Sequence, residues 1–247
     1  QENVPYYIVG NGSNLLVSDQ GYEGVIIQIY KQMNQVEITE NEIHAQAGAL
    51  LSMIANRAME AELTGFEFAA GIPGTLGGAC VMNAGAYGGE MKDVLETVTV
   101  LTRDGDVKTL TKDELELGYR TSVIAKKDYI VLSAVIRLEN GKKEEIKAVM
   151  DDLKEKRITK QPLEYPSAGS TFKRPEGYFA GKLIQDAGLR GFQVGGAQVS
   201  EKHCGFVVNK DQATAADVMN LMNQVSDKVY EMSGVRLEPE VKRLGVF

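Results

Sequence analysis

The sequence lacks the features that would place it in a membrane, secreted or nucleic-acid-binding class. No apolar run is long enough to span a bilayer, and the opening QENVPYYIVG has neither the basic nor the apolar region of a signal peptide. A net charge of -7 offers no basic face for phosphate backbones. We therefore expect a cytoplasmic protein with no membrane and no nucleic-acid partner.

Cysteine is scarce, and internal repeats and low-complexity segments are absent. Cys80 and Cys204 have no C-x-x-C partner, which indicates buried reduced thiols and no metal site. The 247 residues suffice for one or two globular domains. Because strand-like sequence begins as early as Tyr6, we expect that an N-terminal segment is missing. No motif defines the oligomeric state, and a monomer is the expectation.

Hydrophobic periodicity predicts an α+β fold. The predicted elements are strands at 6–9, 24–29, 35–39, 42–47, 129–138, 192–194, 198–199 and 205–208, a hairpin turning at Asp104-Gly105, helices at 49–60, 144–158, 179–187 and 214–233, and strand-like sequence in the closing GVRLEPEVKRLGV. Thr111 and Glu114 form a predicted capping box that opens a further short helix. Residues 159–176, which contain PSAGSTFKRP, are predicted to form a loop.

Two glycine-rich loops carry the first functional signal. GNGSNLLV (10–17) fails as a dinucleotide fingerprint, since Leu15 replaces the third glycine and no helix follows. It is either a plain tight turn or a turn that directs backbone N–H groups at an anion. The second loop (65–90) holds eight glycines among apolar residues, which indicates close approach by a flat or bulky ligand. Together the loops suggest a large cofactor that contains a pyrophosphate.

Five motifs in order give a specific resemblance. GNGSNLLV, AGIPGTLGGACVMNAGAYGGE, YRTS, PSAGSTFKRP and LEPEV resemble the UDP-N-acetylenolpyruvoylglucosamine reductase (MurB) family over nearly the whole chain. The resemblance implies an FAD-binding domain of the vanillyl-alcohol-oxidase (PCMH) type at 1–140. A smaller α/β substrate-binding domain would follow at 141–247, with its C-terminal strand returning to the active site. Arg174, where the family's first type has asparagine, indicates the second, shorter type.

The resemblance also implies a reaction, the NADPH-dependent and FAD-mediated reduction of UDP-N-acetylenolpyruvoylglucosamine to UDP-N-acetylmuramate in peptidoglycan synthesis. Hydride would come from flavin N5 and a proton from Ser170, while Arg120 and Glu240 would stabilise the enolate-like charge. A serine hydroxyl is a weak acid, so it needs positive charge nearby. Lys173 and Arg174 could supply that charge or could bind the diphosphate. Motif alignment favours Glu240 over Glu238, although both could lie on one strand face.

The remaining site residues follow from the same resemblance. The implied FAD-binding residues are Gly10, Asn11, Gly12, Ser13, Asn14, Gly71, Ile72, Pro73, Gly74, Thr75, Gly77, Gly78, Asn83 and Gly85. The implied substrate-binding residues are Tyr87, Lys160, Lys173, Arg174, His203 and Lys242.

Two alternatives stay open from the sequence. One is a different flavin oxidoreductase on the same cofactor fold, for which Cys80, inside the second loop, could attach the flavin covalently. The other is an inactive nucleotide-binding or scaffold protein. The first would not need the combination of Arg120, Ser170 and Glu240, and the second would not need bound FAD.

Overall fold

The structure is a computed structural model, and it describes residues 4–247. The chain forms two compact units. The N-terminal unit contains residues 6–12 and 26–157, and the C-terminal unit contains residues 13–25 and 158–247 together with Val4 and Pro5. Among the residues described, no helix has both the length and the apolarity of a membrane span.

Seventeen strands, most of them short, are described. They are β1 (Tyr6–Val9), β2 (Leu15–Val17), β3 (Val25–Gln28), β4 (Val36–Thr39), β5 (Glu42–Gln46), β6 (Leu63–Thr64), β7 (Gly85–Ala86), β8 (Gly89–Glu90), β9 (Leu95–Leu101), β10 (Val107–Thr111), β11 (Ile130–Arg137), β12 (Glu139–Asn140), β13 (Ser167–Ser170), β14 (Gln193–Val194), β15 (Ala197–Val199), β16 (Phe206–Asn209) and β17 (Lys242–Leu244).

Seven α-helices and one 3₁₀ turn are interspersed with these strands. The helices are α1 (Leu51–Glu60), α2 (Leu76–Met82), α3 (Met91–Val94), α4 (Val123–Lys126), α5 (Lys143–Lys160), α6 (Ala180–Asp186) and α7 (Ala215–Ser233), and the 3₁₀ turn is Glu67–Ala69. The predicted α+β class and the main predicted helices are confirmed.

The N-terminal unit is built on a five-stranded antiparallel sheet in the order β10-β9-β11-β5-β4. Alternate residues of β9 point inward, so Val98 and Val100 are fully buried. Helix α1 buries Leu51, Ile54 and Ala58 at helical spacing and adds an apolar face to the same core. The second glycine-rich loop joins the same core through Phe66, Leu76 and Cys80.

The C-terminal unit has its own four-stranded sheet, in the order β13-β16-β15-β14, with α7 packed against it. Helix α7 begins at Thr214, whose side chain accepts a hydrogen bond from Asp217 N, and the Asp217 carboxylate accepts one from Thr214 N. This reciprocal capping box satisfies amides that have no partner within the helix. A separate parallel pair joins β2 to β17.

Three local predictions are wrong. The second glycine-rich segment, predicted to be a loop throughout, contains helix α2. The capping box at Thr111 does form in part, since the Glu114 carboxylate accepts from Thr111 N at 2.9 Å, but no helix follows. Glu116 has a left-handed φ of 45°, so the chain leaves helical geometry after a single turn. The predicted loop at 159–176 contains strand β13, because its backbone pairs with β16.

The Thr214 cap yields a stability prediction. Replacing Thr214 with alanine removes the acceptor for Asp217 N, and loss of such a cap costs about 1 kcal/mol. Urea denaturation should show a lower transition midpoint for Thr214→Ala, while Thr214→Ser keeps the hydroxyl and should stay near wild type. Equal midpoints for the alanine and serine variants would contradict the assigned cap.

Candidate active site

The two glycine-rich loops meet within the N-terminal unit. Asn11 Nδ2 donates to the Pro73 carbonyl oxygen at 2.7 Å, and Gly10 lies so close to the Thr75 hydroxyl that a side chain there would collide with it. The sequence predicted that both loops face one ligand, and their contact is consistent with that prediction. Ser13 and Asn14 of the first loop belong to the C-terminal unit.

The glycines of these loops serve two different purposes. A Cβ at Gly77 would lie 3.1 Å from the Ala47 Cβ, and one at Gly85 would lie 2.7 Å from the Gly89 oxygen, so packing within the protein disfavours a side chain at both positions. Gly12 differs, because it is exposed, has a left-handed φ of 70° and has no atom within 4 Å of a hypothetical Cβ. An open backbone of this kind fits close approach by a pyrophosphate-bearing cofactor.

Asn83 is a structural centre of the second loop. Its side chain is fully buried and donates to Glu90 Oε2 at 2.5 Å and to the Gly118 carbonyl at 3.1 Å, while its Oδ1 accepts from Lys92 N at 2.8 Å. Its backbone is left-handed and ends α2. Its side-chain amide is thus committed to positioning the loop.

Tyr87 occupies the tip of a small hairpin. Strands β7 and β8 pair around it, and Tyr87 and Gly88 both have positive φ, the arrangement that a two-residue hairpin turn requires. A non-glycine residue in this region is uncommon and marks a constrained position. The hairpin exposes 47% of Tyr87.

Arg120 lies at the tip of a similar short turn. The amide and carbonyl groups of Gly118 and Thr121 bond to each other at 3.1 and 3.3 Å, and Arg120 between them has a left-handed φ of 54°. The guanidinium lies 5.1 Å from the Tyr119 ring centroid. The Asn83 bond to Gly118 connects this turn to the glycine-rich loop. A left-handed backbone is uncommon for a non-glycine residue, so the turn constrains the backbone of Arg120.

Ser170 and Glu240 are brought together in the C-terminal unit. Lys173 N donates to the Glu238 carbonyl and Glu240 N donates to the Thr171 carbonyl, each at 2.8 Å, so segment 238–240 runs antiparallel to segment 171–173. Ser170 directly precedes this pairing and is exposed, whereas Glu240 is 8% exposed. An exposed hydroxyl therefore lies beside a segment that carries a buried carboxyl group.

The sequence left open whether Glu238 shares the role of Glu240, and the structure gives the two residues different environments. Glu238 is exposed and its Oε2 lies 3.1 Å from Lys173 Nζ in an ion pair. Asn14 Nδ2 approaches the Glu240 carbonyl at 3.4 Å, and Lys242 N donates to the Asn14 carbonyl at 3.0 Å. The first glycine-rich loop thus helps to hold the backbone of Glu240 and Lys242.

Three further predicted substrate residues lie on the surface of the C-terminal unit. Lys160, His203 and Lys242 are exposed. His203 Nδ1 accepts from Gly205 N at 3.0 Å, and its ring contacts Phe206 edge-on. Desolvation lowers the pKa of His203, and the positive charge of Arg190 adds to the shift. The geometry favours a neutral imidazole with its proton on Nε2.

Arg157 is a cation that sequence reasoning missed. It lies near the end of α5, where a Cβ at Gly71 would approach its Cδ to 3.3 Å, and it is partly buried. Burial lowers the pKa of Arg157, and an electrostatic interaction with Tyr87 acts in the opposite direction. Its helical spacing from Lys160 could have indicated it in the sequence, because a residue three positions earlier lies on the same helix face.

Cys80 provides no reactive group in this loop. It lies fully buried on α2, and burial raises the pKa of its thiol to about 12. Because this thiol is almost entirely protonated near neutral pH, covalent attachment of a flavin to Cys80 is disfavoured. Within residues 4–247, no cluster of three or more His, Cys, Asp or Glu side chains has the proximity that metal ligands need.

Family models match both the N-terminal and the C-terminal part of the chain. A family model described as UDP-N-acetylenolpyruvoylglucosamine reductase, C-terminal domain, matches residues 161–244, and one described as FAD binding domain matches residues 1–111. The chain is 59% identical over 257 residues to the UDP-N-acetylenolpyruvoylglucosamine reductase of Agathobacter rectalis, covering 99% of this chain and 82% of that protein. It is 55% identical over 245 residues to the reductase of Clostridioides difficile, covering 99% and 81%.

A solved structure supports the same relationship. The crystal structure of UDP-N-acetylenolpyruvylglucosamine reductase (MurB) from Thermus caldophilus has a TM-score of 0.85 to this chain at 37% identity, covering 98% of this chain and 86% of that one. The glycine-rich loops and the matched FAD-binding domain define a flavin-dependent oxidoreductase that uses FAD. The chain belongs to the UDP-N-acetylenolpyruvoylglucosamine reductase (MurB) family. The predicted family, fold class and FAD cofactor are confirmed.

The open backbone at Gly12 yields a prediction about the cofactor. Gly12→Ala should weaken FAD binding by about 10-fold or more, because the added methyl group enters the space that the cofactor approaches and a left-handed alanine is strained. Titration of the apoprotein with FAD, followed by flavin fluorescence, measures the change.

Gly21 provides a matched control for this variant. It has a left-handed φ of 77° and no atom within 4 Å of a Cβ, yet it lies outside the predicted FAD-binding set. Gly21→Ala should carry the same backbone strain and retain FAD affinity. If both variants lose the same affinity, strain alone accounts for the loss.

The lowered pKa of His203 predicts a pH dependence of stability. The unfolded state binds the proton more readily, near the ordinary value of 6.5, so stability is complete above that pH and falls as the pH drops towards the folded-state pKa. His203→Gln should lose less stability than wild type between pH 7.5 and 5.5 in denaturant titrations. Identical pH profiles would show that His203 is not the group responsible.

Proposed function

We propose that the chain reduces UDP-N-acetylenolpyruvoylglucosamine to UDP-N-acetylmuramate, with NADPH as reductant, in peptidoglycan precursor synthesis. The observation that carries the proposal is the pairing of segments 171–173 and 238–240, which places exposed Ser170 beside the segment of buried Glu240. The names of the similar proteins from A. rectalis and C. difficile support this substrate.

Reduction of the enolpyruvyl group requires one hydride and one proton. When bound, FAD supplies the hydride for the terminal vinyl carbon after taking electrons from NADPH. The carbon–carbon double bond becomes a single bond once the neighbouring carbon gains a proton. The chain's own residues must hold the cofactor, hold the enolpyruvyl carboxylate and provide that proton.

The cofactor would be held by the two glycine-rich loops. Gly12 and its neighbours Gly10 and Asn11 offer a backbone that lies against Pro73 and Thr75 of the second loop. The other proposed FAD-binding residues are Ser13, Asn14, Gly71, Ile72, Gly74, Gly77, Gly78, Asn83 and Gly85. Asn83 would act through its backbone and through loop position, since its amide group already bonds within the protein.

Ser170 is the proposed proton donor, because its hydroxyl is exposed and strand β13 holds its backbone against β16. Arg120 would stabilise the charge that grows on the enolpyruvyl carboxylate, since a planar guanidinium matches that group with two donors. Glu240 would complete the arrangement as a hydrogen-bonding partner of the enolate. Neighbouring Gly169 has a φ of 80°, which only glycine adopts readily, so the backbone beside Ser170 is specifically shaped.

The remaining proposed substrate contacts are Tyr87, Lys160, Lys173, Arg174, His203 and Lys242. Lys173 is occupied in an exposed ion pair with Glu238, which costs little to exchange for a phosphate. We assign Lys173 and Arg174 to the diphosphate. The domain boundary at residue 140 remains a prediction, since the family models end at residue 111 and resume at 161.

Ser170→Ala separates the two halves of the reaction. Reduction of bound FAD by NADPH should proceed at the wild-type rate, while reoxidation by the enolpyruvyl substrate should slow by about 10²–10⁴-fold, the range for a lost general acid. Stopped-flow measurement of flavin absorbance records both steps.

Ser167→Ala is the matched control for that experiment. Ser167 lies on the same strand and is also exposed, but it has no proposed role in the chemistry. Its reoxidation rate should equal that of wild type. A Ser170→Ala enzyme that reoxidises as fast as the Ser167→Ala enzyme would disprove the proton-donor assignment.

A further inference from the structure

The chain reverses direction immediately after Arg174. Tyr178 N donates to the Pro175 carbonyl at 3.1 Å, and Gly177 has a left-handed φ of 74°, so residues 175–178 form a tight turn. Glycine permits this conformation without a Cβ clash. The turn returns Phe179, the residue that precedes α6, to the side chain of Arg174.

Arg174 is held from two directions by this turn. Its Cζ lies 4.0 Å from the Phe179 ring centroid, well within cation–π range, and its Nε donates to the Tyr178 carbonyl at 3.3 Å. A guanidinium held against a ring face has fewer accessible rotamers, and its N–H donors lie in its own plane. The contact therefore orients the donors of Arg174 as well as holding its position.

A contribution to the stability of the fold does not explain the contact between Arg174 and Phe179. Phe179 is 61% exposed, which is costly for a large aromatic ring, and cation–π pairs at exposed sites contribute little. Tyr178, its neighbour, is 47% exposed and meets Arg174 through its backbone carbonyl. The pair is better explained by what it does to the guanidinium.

We propose that Phe179 is a positioning residue that preorganises Arg174 for the diphosphate of a nucleotide ligand. An arginine side chain loses considerable rotational freedom when it binds, and a partner that restricts it beforehand reduces that loss. Guanidinium and phosphate groups pair through two donors, so orientation matters for affinity. This inference rests on the proposed function, which assigns Arg174 to the substrate diphosphate.

The test compares Phe179→Leu with wild type in the FAD-loaded enzyme. Leucine keeps an apolar side chain but removes the ring face. The dissociation constant of UDP, measured by titration calorimetry, should rise by about 3- to 10-fold. The KM for the enolpyruvyl substrate should rise similarly while kcat stays unchanged, because Phe179 does not touch the reacting atoms.

Three further variants distinguish positioning from a general structural effect. Tyr178→Leu keeps the backbone carbonyl that Arg174 uses and should bind UDP within about 2-fold of wild type, since only side-chain packing changes there. Phe179→Tyr restores the ring face and should restore affinity. In an Arg174→Ala background, Phe179→Leu should have no additional effect, since the group that it positions is gone.

The outcomes separate this inference from the proposed function. Wild-type affinity of Phe179→Leu for UDP overturns the inference, as do equal losses in Phe179→Leu and Tyr178→Leu. A wild-type enzyme that fails to bind UDP overturns it too, because Arg174 then has no diphosphate to hold. If UDP binding depends on Phe179 but the enolpyruvyl substrate is not reduced, the inference stands and the proposed function fails.

Discussion

The backbone pairing of segments 171–173 and 238–240 is the interaction on which the C-terminal unit's part of the site depends. Two hydrogen bonds of 2.8 Å join parts of the chain that are more than sixty residues apart in sequence. Buried backbone groups must be paired, so this contact is costly to lose. It determines which side chains accompany Ser170, and it separates the buried Glu240 from the exposed Glu238.

In the N-terminal unit, a buried side-chain amide holds the loops of the site in position. Asn83 donates to two acceptors and accepts from one donor, on three different residues, and so connects the glycine-rich loop to the turn that carries Arg120. Glycine-rich loops have high conformational entropy when unfolded, so such cross-links are needed to keep one loop conformation. The strained backbones of Arg120 and Tyr87 persist because their surroundings hold them.

The charges near PSAGSTFKRP illustrate how the structure refines a sequence-based hypothesis. Proximity in sequence suggested that Lys173 and Arg174 could polarise Ser170. The structure pairs Lys173 with Glu238 and holds the Arg174 guanidinium over the Phe179 ring, so each cation has a partner other than Ser170. Their assignment to the substrate diphosphate is part of the proposed function.

Local signals in the sequence determined the helices α1, α5, α6 and α7, the hairpin at Asp104-Gly105 and the glycine-rich loops, because periodicity and turn chemistry act over a few residues. Motif order also identified Ser170, Arg120 and Glu240 as candidates. Only tertiary structure decided that β13 is a strand, that Glu116 ends a turn in place of a helix, and that Glu240 is buried while Glu238 is exposed. The strand β13 and the placement of Glu240 depend on partner segments distant in sequence, and no local pattern encodes which segments those are.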